Sequence, residues 1–306
     1  MSSAAPARRT ANLKLGSALR ALLTAACGFL VCPSTGQAWW FCSYNLRNWL
    51  VQPGRSPEQS IHKPETEKRL VVELLRDLKP DVIGLCEIGG ASDLEDLQAR
   101  LAKQGLPLPH HYLTQGGDPH RKLALLSRFP VVATATAREL DYRLEGRSWR
   151  MQRGILDVSI QPEGGPMVRC VGVHLKSMRE VSDADQSLMR RHEAKLLRSH
   201  LDEVLRENPQ RQLLCYGDFN DHLNSPTLRS IVGPRNSPSH LLMLDPLDSR
   251  GESWTQHWAA AGVYSRFDYV LATRSLKPHV ANLRVVDDPR CSQASDHRPV
   301  MVEISP

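Results

Sequence analysis

The chain has 306 residues, of which 41% are hydrophobic and 24% are charged, a composition that is ordinary for a soluble globular protein. Its net charge of +6 suggests a nucleic-acid partner, but four basic residues and no acidic residue lie within residues 1–38. The rest of the chain carries 35 basic and 33 acidic residues, so the charge is weak evidence for a DNA partner and excludes a domain that is basic throughout.

Residues 1–38 have the pattern of a signal peptide. A basic leader is followed by an apolar stretch at 21–31, and Gly36 and Ala38 supply the small residues that a cut after Ala38 requires. The apolar stretch is too short to span a bilayer, and no later segment reaches transmembrane length. We therefore predict export to the periplasm or the exterior and a mature chain over 39–306, with an uncleaved anchor as the alternative.

Five cysteines lie in residues 39–306, and four of them fall within apolar runs that predict strands. Their odd number and apolar surroundings favour buried thiols over a disulfide framework. The same residues contain no CxxC pair, so a zinc site has no support.

Strands and helices alternate in the first half of the mature chain. An amphipathic helix is predicted over 64–80, where leucines recur at four-residue spacing and Pro80 ends the pattern. A second helix is predicted to begin at Ser92, with Glu95 as its partner in a capping box. Strands are predicted at 39–45, 81–87 and 122–127. This alternation indicates a layered α/β fold.

The second half is richer in strands. Segments 153–160 and 168–175 predict a hairpin, because turn-forming residues join them, and a long helix over 184–206 follows. Later strands are predicted at 213–216, 266–272 and 298–304. No repeat, linker or change of composition divides 39–306, so one domain is predicted.

A polar residue suited to metal or phosphate chemistry follows one predicted core strand after another. The strand at 213–216 runs into Gly-Asp-Phe-Asn, a composition that is also typical of a simple turn. Because open α/β sheets bind ligands at strand ends, such residues can converge on one crevice. Each alone favours a cap or a turn, but together they predict a site. The candidates are Asn45, Glu87, His174, Lys176, Asp218, Asn220, Asp268, Asp296 and His297.

These residues lie within segments that resemble, in their order, the motifs of one known family. The segments are SYNLRN, DVIGLCEIG, LALLSRFPV, VHLKS, YGDFND, SRFDYVL and SDHRPV. They resemble the endonuclease/exonuclease/phosphatase family of exonuclease III and DNase I-like metallophosphoesterases over the whole mature chain, and GDFN and SDHRPV are its most specific motifs. The resemblance implies a four-layer α/β/β/α sandwich, in which two mixed β-sheets pack together beneath outer helices. It also implies hydrolysis of a phosphoester with Mg²⁺ or Mn²⁺.

The chemistry of these residue types suggests a metal position. Glu87 would supply an ionised oxygen to a hard cation, Asn45 a neutral oxygen, and Asp296 a further carboxylate within reach. The metal would polarise the phosphoryl group and stabilise the leaving oxygen.

The resemblance implies the remaining roles. Asp218 would orient or deprotonate the attacking water, and Asn220 would help to hold that water. His297 would contact the phosphate with Asp268 behind it, although residue types alone leave open whether Asp218 or His297 is the base. We favour Asp218.

Residues on the substrate side are predicted next to these groups. His174 would donate to a non-bridging oxygen, and Lys176 would add positive charge. Arg153 closes the basic, aromatic-bearing stretch 147–153, which suits contact with a phosphate backbone but is also typical of a solvated loop.

The favoured function is an exported Mg²⁺-dependent phosphodiesterase, with DNA or RNA as candidate substrates. A phosphatase of small phosphorylated compounds or lipid head groups is the alternative, since the mature chain is nearly neutral, although no apolar membrane-docking hairpin is evident in the sequence. A catalytically dead binding domain is a third hypothesis, which the complete set of site residues disfavours. Nothing implies a stable protein partner, so a monomer is expected.

Overall fold

The computed structural model describes residues 36–52, 60–135 and 140–306, so most of the predicted signal peptide lies outside the described residues. The strands are β1 (Trp39–Trp49), β2 (Val51–Gln52), β3 (Ile61–His62), β4 (Val82–Ile88), β5 (His110–Leu113), β6 (Lys122–Ser127), β7 (Val131–Thr134), β8 (Asp141–Leu144), β9 (Arg147–Arg150), β10 (Ile155–Ile160), β11 (Val168–His174), β12 (Leu213–Asp218), β13 (Leu242–Met243), β14 (Gln256–Trp258), β15 (Val263–Ser265), β16 (Asp268–Ala272), β17 (Val280–Val285) and β18 (Val300–Ile304). The helices are α1 (Glu65–Leu78), α2 (Ala91–Lys103), α3 (Gln186–Glu207), α4 (Pro226–Val232) and α5 (Cys291–Ala294), with a short 3-10 helix at Lys277–His279.

Twelve of these strands form two six-stranded mixed sheets. The first has the order β17-β18-β1-β4-β6-β5 and the second the order β13-β16-β12-β11-β10-β7. In each sheet the central pair is parallel, β1 with β4 and β11 with β12, and the other pairs are antiparallel. The remaining strands form three short hairpins, β2–β3, β8–β9 and β14–β15.

Alternation of side chains along the strands builds three apolar layers. Phe41 of β1 and Tyr216 of β12 meet edge to face between the two sheets, with ring centroids 4.7 Å apart. The other face of the first sheet packs on α1 and α2, and the other face of the second sheet packs on α3 and α4. The chain therefore has the predicted four-layer α/β/β/α sandwich, and its five described cysteines are buried free thiols, as predicted.

Three local predictions are corrected by the structure. Helix α2 begins at Ala91 and not at Ser92, because Asp93 accepts the backbone N–H of Gly90 at 3.0 Å and closes the first turn. Strand β12 continues through Asp218, since strands on both sides pair with it to that residue. The basic stretch around 147–153 is largely the strand β9, not a loop.

Helix α3 buries charged side chains as well as leucines. Arg190, Glu193 and Arg198 are each at most 8% exposed and lie on the face that packs toward the second sheet and its loops. Among the described residues, no helix is both long and apolar enough to cross a membrane.

Close contact between the sheets depends on two glycines that face Tyr216. A Cβ at Gly84 would lie 2.0 Å from the Tyr216 ring, and a Cβ at Gly172 would lie 2.8 Å from its hydroxyl oxygen. The Tyr216 hydroxyl is buried and has no hydrogen-bond partner among the described residues. Packing space, not hydrogen bonding, therefore fixes this tyrosine.

We predict that Gly84→Ala lowers the free energy of unfolding by about 1–3 kcal/mol, because the added methyl overpacks the space between the sheets. Tyr216→Phe is the matched control and should be neutral or stabilising, because it removes an unpaired buried hydroxyl. Urea unfolding of both variants measures these values. A Gly84→Ala protein as stable as the wild type would contradict the packing argument.

Candidate active site

The topology brings the predicted site residues to one edge of the sandwich. Strands β1, β4, β11 and β12 end there, and β16 and β18, which run antiparallel to β12 and β1, begin there. The residues that these strand ends carry are Asn45, Glu87, His174, Asp218, Asp268, Asp296 and His297. A polar cluster thus lies where both sheets present their central strands.

Asp218 occupies the centre of this cluster. Its Oδ2 lies 3.5 Å from His174 Nε2 and 3.8 Å from His297 Nε2. Asn45 donates its side-chain N–H to Asp218 Oδ2 at 3.0 Å, and Asn220 donates its backbone N–H to Asp218 Oδ1 at 2.9 Å. One buried carboxylate therefore contacts four of the predicted residues.

His297 is fixed from behind by a second carboxylate. Its Nδ1 lies 2.7 Å from Asp268 Oδ2, and its backbone N–H donates to Ser295 Oγ at 3.1 Å. Thr255 Oγ1 accepts the Asp268 backbone N–H at 2.9 Å and so holds that carboxylate in place. Both the rotamer and the ring orientation of His297 follow from these contacts.

The surroundings of the two histidines favour a protonated ring at His297 and a neutral ring at His174. Burial alone would lower the pKa of His297, but the adjacent Asp268 carboxylate outweighs burial and raises that pKa. Burial, with the positive charge of Arg153 added, lowers the pKa of His174 well below its usual range. At neutral pH the site therefore contains one charged and one neutral imidazole.

Asp218 lies between them with an altered acidity. Burial raises the pKa of its carboxyl, and the positive charge of His297 opposes that rise. An elevated carboxyl pKa suits a group that must accept a proton near neutral pH.

Unusual backbone conformations direct two of the site residues. Glu87 has a φ of 61° and Asn220 a φ of 49°, values that side-chain-bearing residues seldom adopt. Immediately before Asp218 in β12, Gly217 has a φ of 130°, and a Cβ there would lie 2.0 Å from the carbonyl oxygen of Val173. Only glycine fits this position in the parallel pairing of β11 and β12.

The cluster opens into a cavity of about 600 Å³. Its charged lining consists of Arg47, Glu87, Arg121, Arg153, Arg179, Asp218, Asp296 and the histidines His174 and His297. Such a mixture suits an anionic ligand at the arginines and a cation at the carboxylates.

The donor set fits a hard divalent cation such as Mg²⁺. The carboxylates of Glu87 and Asp296 both line the cavity, and Asp296 makes no side-chain hydrogen bond among the described residues. Within those residues, no group of three or more His, Cys, Asp or Glu side chains is arranged to enclose a metal. Mg²⁺ needs only one or two carboxylates because it retains most of its waters.

The side chains of Asn45 and Lys176 make contacts that differ from those predicted from the sequence. The Asn45 side-chain oxygen accepts the Arg47 backbone N–H at 3.0 Å, so its N–H₂ group faces Glu87 and Asp218. The Lys176 ammonium lies against the carbonyl oxygens of Ser177 and Arg179 and does not line the cavity. Arg153 does line it.

The structure adds a hairpin, β14–β15, which was not predicted from the sequence. His257 donates its backbone N–H to the Asp296 carbonyl at 2.9 Å, and Arg298 donates to Thr255 at 2.7 Å, so the hairpin is pinned to the segment that carries His297. Its tip, residues 258–264, is uncharged, and Trp258 and Tyr264 are 59% and 55% exposed. A hairpin with an uncharged tip therefore borders the site.

Buried Glu193 of α3 holds the loops behind the cavity. Its carboxylate accepts the backbone N–H of Lys176 at 2.6 Å and that of Gln152 at 3.4 Å. These bonds tie the segment after His174 to the segment before Arg153. Burial raises the pKa of Glu193 to about 7, an effect that Arg153 only partly offsets.

Comparison with known proteins agrees with this architecture. The model of the endonuclease/exonuclease/phosphatase family matches residues 54–297. A search among curated proteins finds no match.

Solved structures share the fold at low sequence identity. An endonuclease/exonuclease/phosphatase from Bacteroides vulgatus is 16% identical, with a TM-score of 0.62 over 88% of this chain and 99% of its own. A truncated TDP2 from Caenorhabditis elegans is 16% identical, with a TM-score of 0.58 over 88% and 98%. Sphingomyelinase C from Streptomyces griseocarneus is 16% identical, with a TM-score of 0.58 over 88% and 100%.

We predict that the free energy of unfolding of the Glu193→Gln variant rises relative to that of the wild type as the pH increases from 5 to 8. The pKa of Glu193 is higher in the folded state than in the unfolded state. The wild type therefore loses stability as the pH rises from the unfolded-state pKa to the folded-state pKa, and glutamine, which does not titrate, removes that loss. The relative gain should approach about 3 kcal/mol. Urea unfolding at both pH values measures it, with exposed Glu203→Gln on the same helix as control. A pH-independent difference would contradict the prediction.

Proposed function

The chain belongs to the endonuclease/exonuclease/phosphatase family, and from that membership we propose that it is an exported phosphodiesterase whose favoured substrate is nucleic acid. Members of the family are metal-dependent hydrolases that act on phosphoester bonds, and this chain is such a hydrolase. The observation that carries the finer proposal is the contact of one buried carboxylate, Asp218, with two imidazoles, of which His297 is protonated and His174 is neutral.

Attack begins with the water that Asp218 holds. As the water oxygen forms a bond to phosphorus, its proton passes to the Asp218 carboxylate, whose raised pKa makes it a stronger base. The ester P–O bond breaks, its electron pair leaves with the alkoxide, and the alkoxide takes a proton from solvent. Asn220 fixes the base through its backbone N–H.

The imidazoles stabilise the charge that develops on the phosphoryl oxygens. His297 carries a proton because Asp268 raises its pKa, so its Nε2–H is available to a non-bridging oxygen. His174 is neutral and can donate a hydrogen bond without adding charge. A divalent cation, Mg²⁺ or Mn²⁺, when bound at Glu87 and Asp296, with Asn45 beside them, supplies the remaining positive charge.

Export is part of the proposal. Residues 1–38 have the composition of a signal peptide, and the first strand of the sandwich begins at Trp39, directly after the proposed cut at Ala38. Removal of the leader would therefore leave the folded domain complete.

A lipid phosphodiester is the second candidate substrate, and the β14–β15 hairpin favours it. The exposed, uncharged tip carries tryptophan and tyrosine, which are the side chains that concentrate at membrane interfaces. The tip borders the catalytic cavity through Trp258. One structural neighbour is a sphingomyelinase, although their shared fold alone does not transfer its substrate.

We predict that the protein hydrolyses plasmid DNA in Mg²⁺ and not in EDTA, and that Glu87→Ala and His297→Ala each lower the rate about 10²–10⁴-fold. Single-stranded RNA, a chromogenic phosphodiester and a phosphomonoester complete the comparison. Exposed His111→Gln on β5 is the control and should retain activity. Full activity in either site variant would refute the site assignment, and turnover of the monoester alone would identify a phosphatase.

If lipid is the substrate, Trp258→Ser should lower binding to phosphatidylcholine vesicles at least about threefold in a flotation assay, because less apolar area enters the interface. Val132→Ser, a 50% exposed residue on β7, is the matched control. Equal binding by the wild type and the Trp258 variant would remove the lipid candidate.

A further inference from the structure

One part of the cavity wall carries more positive charge than its carboxylates balance. Arg121, Arg153 and Arg179 line the cavity, and the carboxylate paired with them is Asp118, 3.7 Å from Arg153 Nε and 4.0 Å from an Arg121 guanidinium nitrogen. The guanidinium of Arg179 has no hydrogen bond or ion pair among the described residues. Among the described residues, these three guanidinium groups therefore have one carboxylate, that of Asp118, within ion-pair distance.

Arg153 is the most buried of the three. Its side chain is 11% exposed, and its Nε is buried without a hydrogen-bond partner in the part of the chain that the structure describes. A charged donor in this state is costly unless an acceptor reaches it. Phosphate oxygens match the planar donor geometry of guanidinium groups.

Paired loops hold Arg121 and Arg153 side by side. Asp118 donates its backbone N–H to the Gln152 carbonyl at 2.6 Å, which joins the loop before Arg121 to the loop before Arg153. The Asp118 side chain accepts the backbone N–H of Arg121 at 3.0 Å. Arg121 Nε in turn donates to Asn48 Oδ1 at 2.8 Å, so its position is fixed at both ends.

A glycine permits this close approach. A Cβ at Gly116 would lie 2.5 Å from the backbone carbon of Arg153 and 2.5 Å from the carbonyl oxygen of Gln152. Glu193 then anchors the same Gln152 backbone to α3. Arg121 and Arg153 therefore belong to a fixed part of the wall, whereas Arg179 is an exposed residue of the cavity lining.

We propose that Arg121, Arg153 and Arg179 form an anion subsite that binds a second phosphate group of the substrate, beside the phosphate that is cleaved. The inference rests on the proposed phosphodiesterase function. The proposed mechanism assigns His174 and His297 to the scissile phosphate, which leaves the three guanidinium groups of this wall for a further phosphate. The cavity volume of about 600 Å³ is within the range that holds a ligand much larger than one phosphate.

Matched substrates test the subsite. Thymidine 5′-(p-nitrophenyl phosphate) is compared with its 3′-phosphorylated form, and thymidine 3′-(p-nitrophenyl phosphate) with its 5′-phosphorylated form. In one pair or the other, the added phosphate should raise kcat/KM at least about tenfold in the wild type. Arg121→Gln and Arg179→Gln should each lower that ratio at least about threefold.

Arg206→Gln, an exposed arginine near the end of α3, is the charge-matched control and should keep the wild-type ratio. A ratio near one in both pairs, or a preference that survives both cavity variants, would overturn the subsite while leaving the phosphodiesterase proposal intact.

A binding measurement separates failure of the subsite from failure of the proposed function. Inorganic pyrophosphate is titrated calorimetrically in EDTA against the wild type and the Arg121→Gln/Arg179→Gln double variant. Weaker binding by the double variant supports the subsite even if no diester is cleaved. A preference for phosphorylated substrates without pyrophosphate binding would support a subsite that requires the phosphate to be attached to the substrate. Where a diester is cleaved, the substrate ratios decide; where none is cleaved, equal pyrophosphate binding by the wild type and the double variant would overturn the subsite.

Discussion

Three candidate site residues lie side by side across the second sheet, and the proposed chemistry depends on this register. His174 of β11 pairs with Asp218 of β12, and Asp218 pairs with Asp268 of β16. Because side chains alternate between the faces of a sheet, a slip of one residue in either pairing would turn a catalytic group toward the apolar layers. The fit of Gly217 against Val173 helps to exclude such a slip, since no other residue has room there.

That register also sets the charges. Asp268 lies far enough along its strand to meet His297 from the other sheet at 2.7 Å, whereas His174 has no carboxylate behind it. The buried Nδ1 of His174 has no hydrogen-bond partner among the described residues. Two histidines in one cavity therefore have opposite protonation tendencies because only one is backed by an anion, an arrangement that divides acid and base roles in many active sites.

The strand-end residues could be predicted from the sequence because each is local: an apolar run ends and a polar residue follows. The predicted start of helix α2 lies one residue after the observed start, because Ser92 and Asp93 both carry side chains that can cap a helix. The sequence does not distinguish Arg121 and Arg179, since each lies in a polar loop with no motif around it. Only the pairing of Asp118 with Gln152 shows that Arg121 and Arg153 share a wall.

Two parts of the cavity lining differ in charge: the uncharged tip of the β14–β15 hairpin and the wall that carries Arg121, Arg153 and Arg179. Trp258 belongs to an uncharged tip, whereas Arg121 and Arg153 belong to loops that a buried glutamate, Glu193, anchors to α3. Backbone hydrogen bonds tie the hairpin to the segment that carries His297, and the Glu193 carboxylate ties the loop before Arg153 to the segment after His174. Under the proposed function, substrate groups bound at either border would therefore lie at a fixed distance from the scissile phosphate, which is how binding remote from the reacting bond contributes to rate.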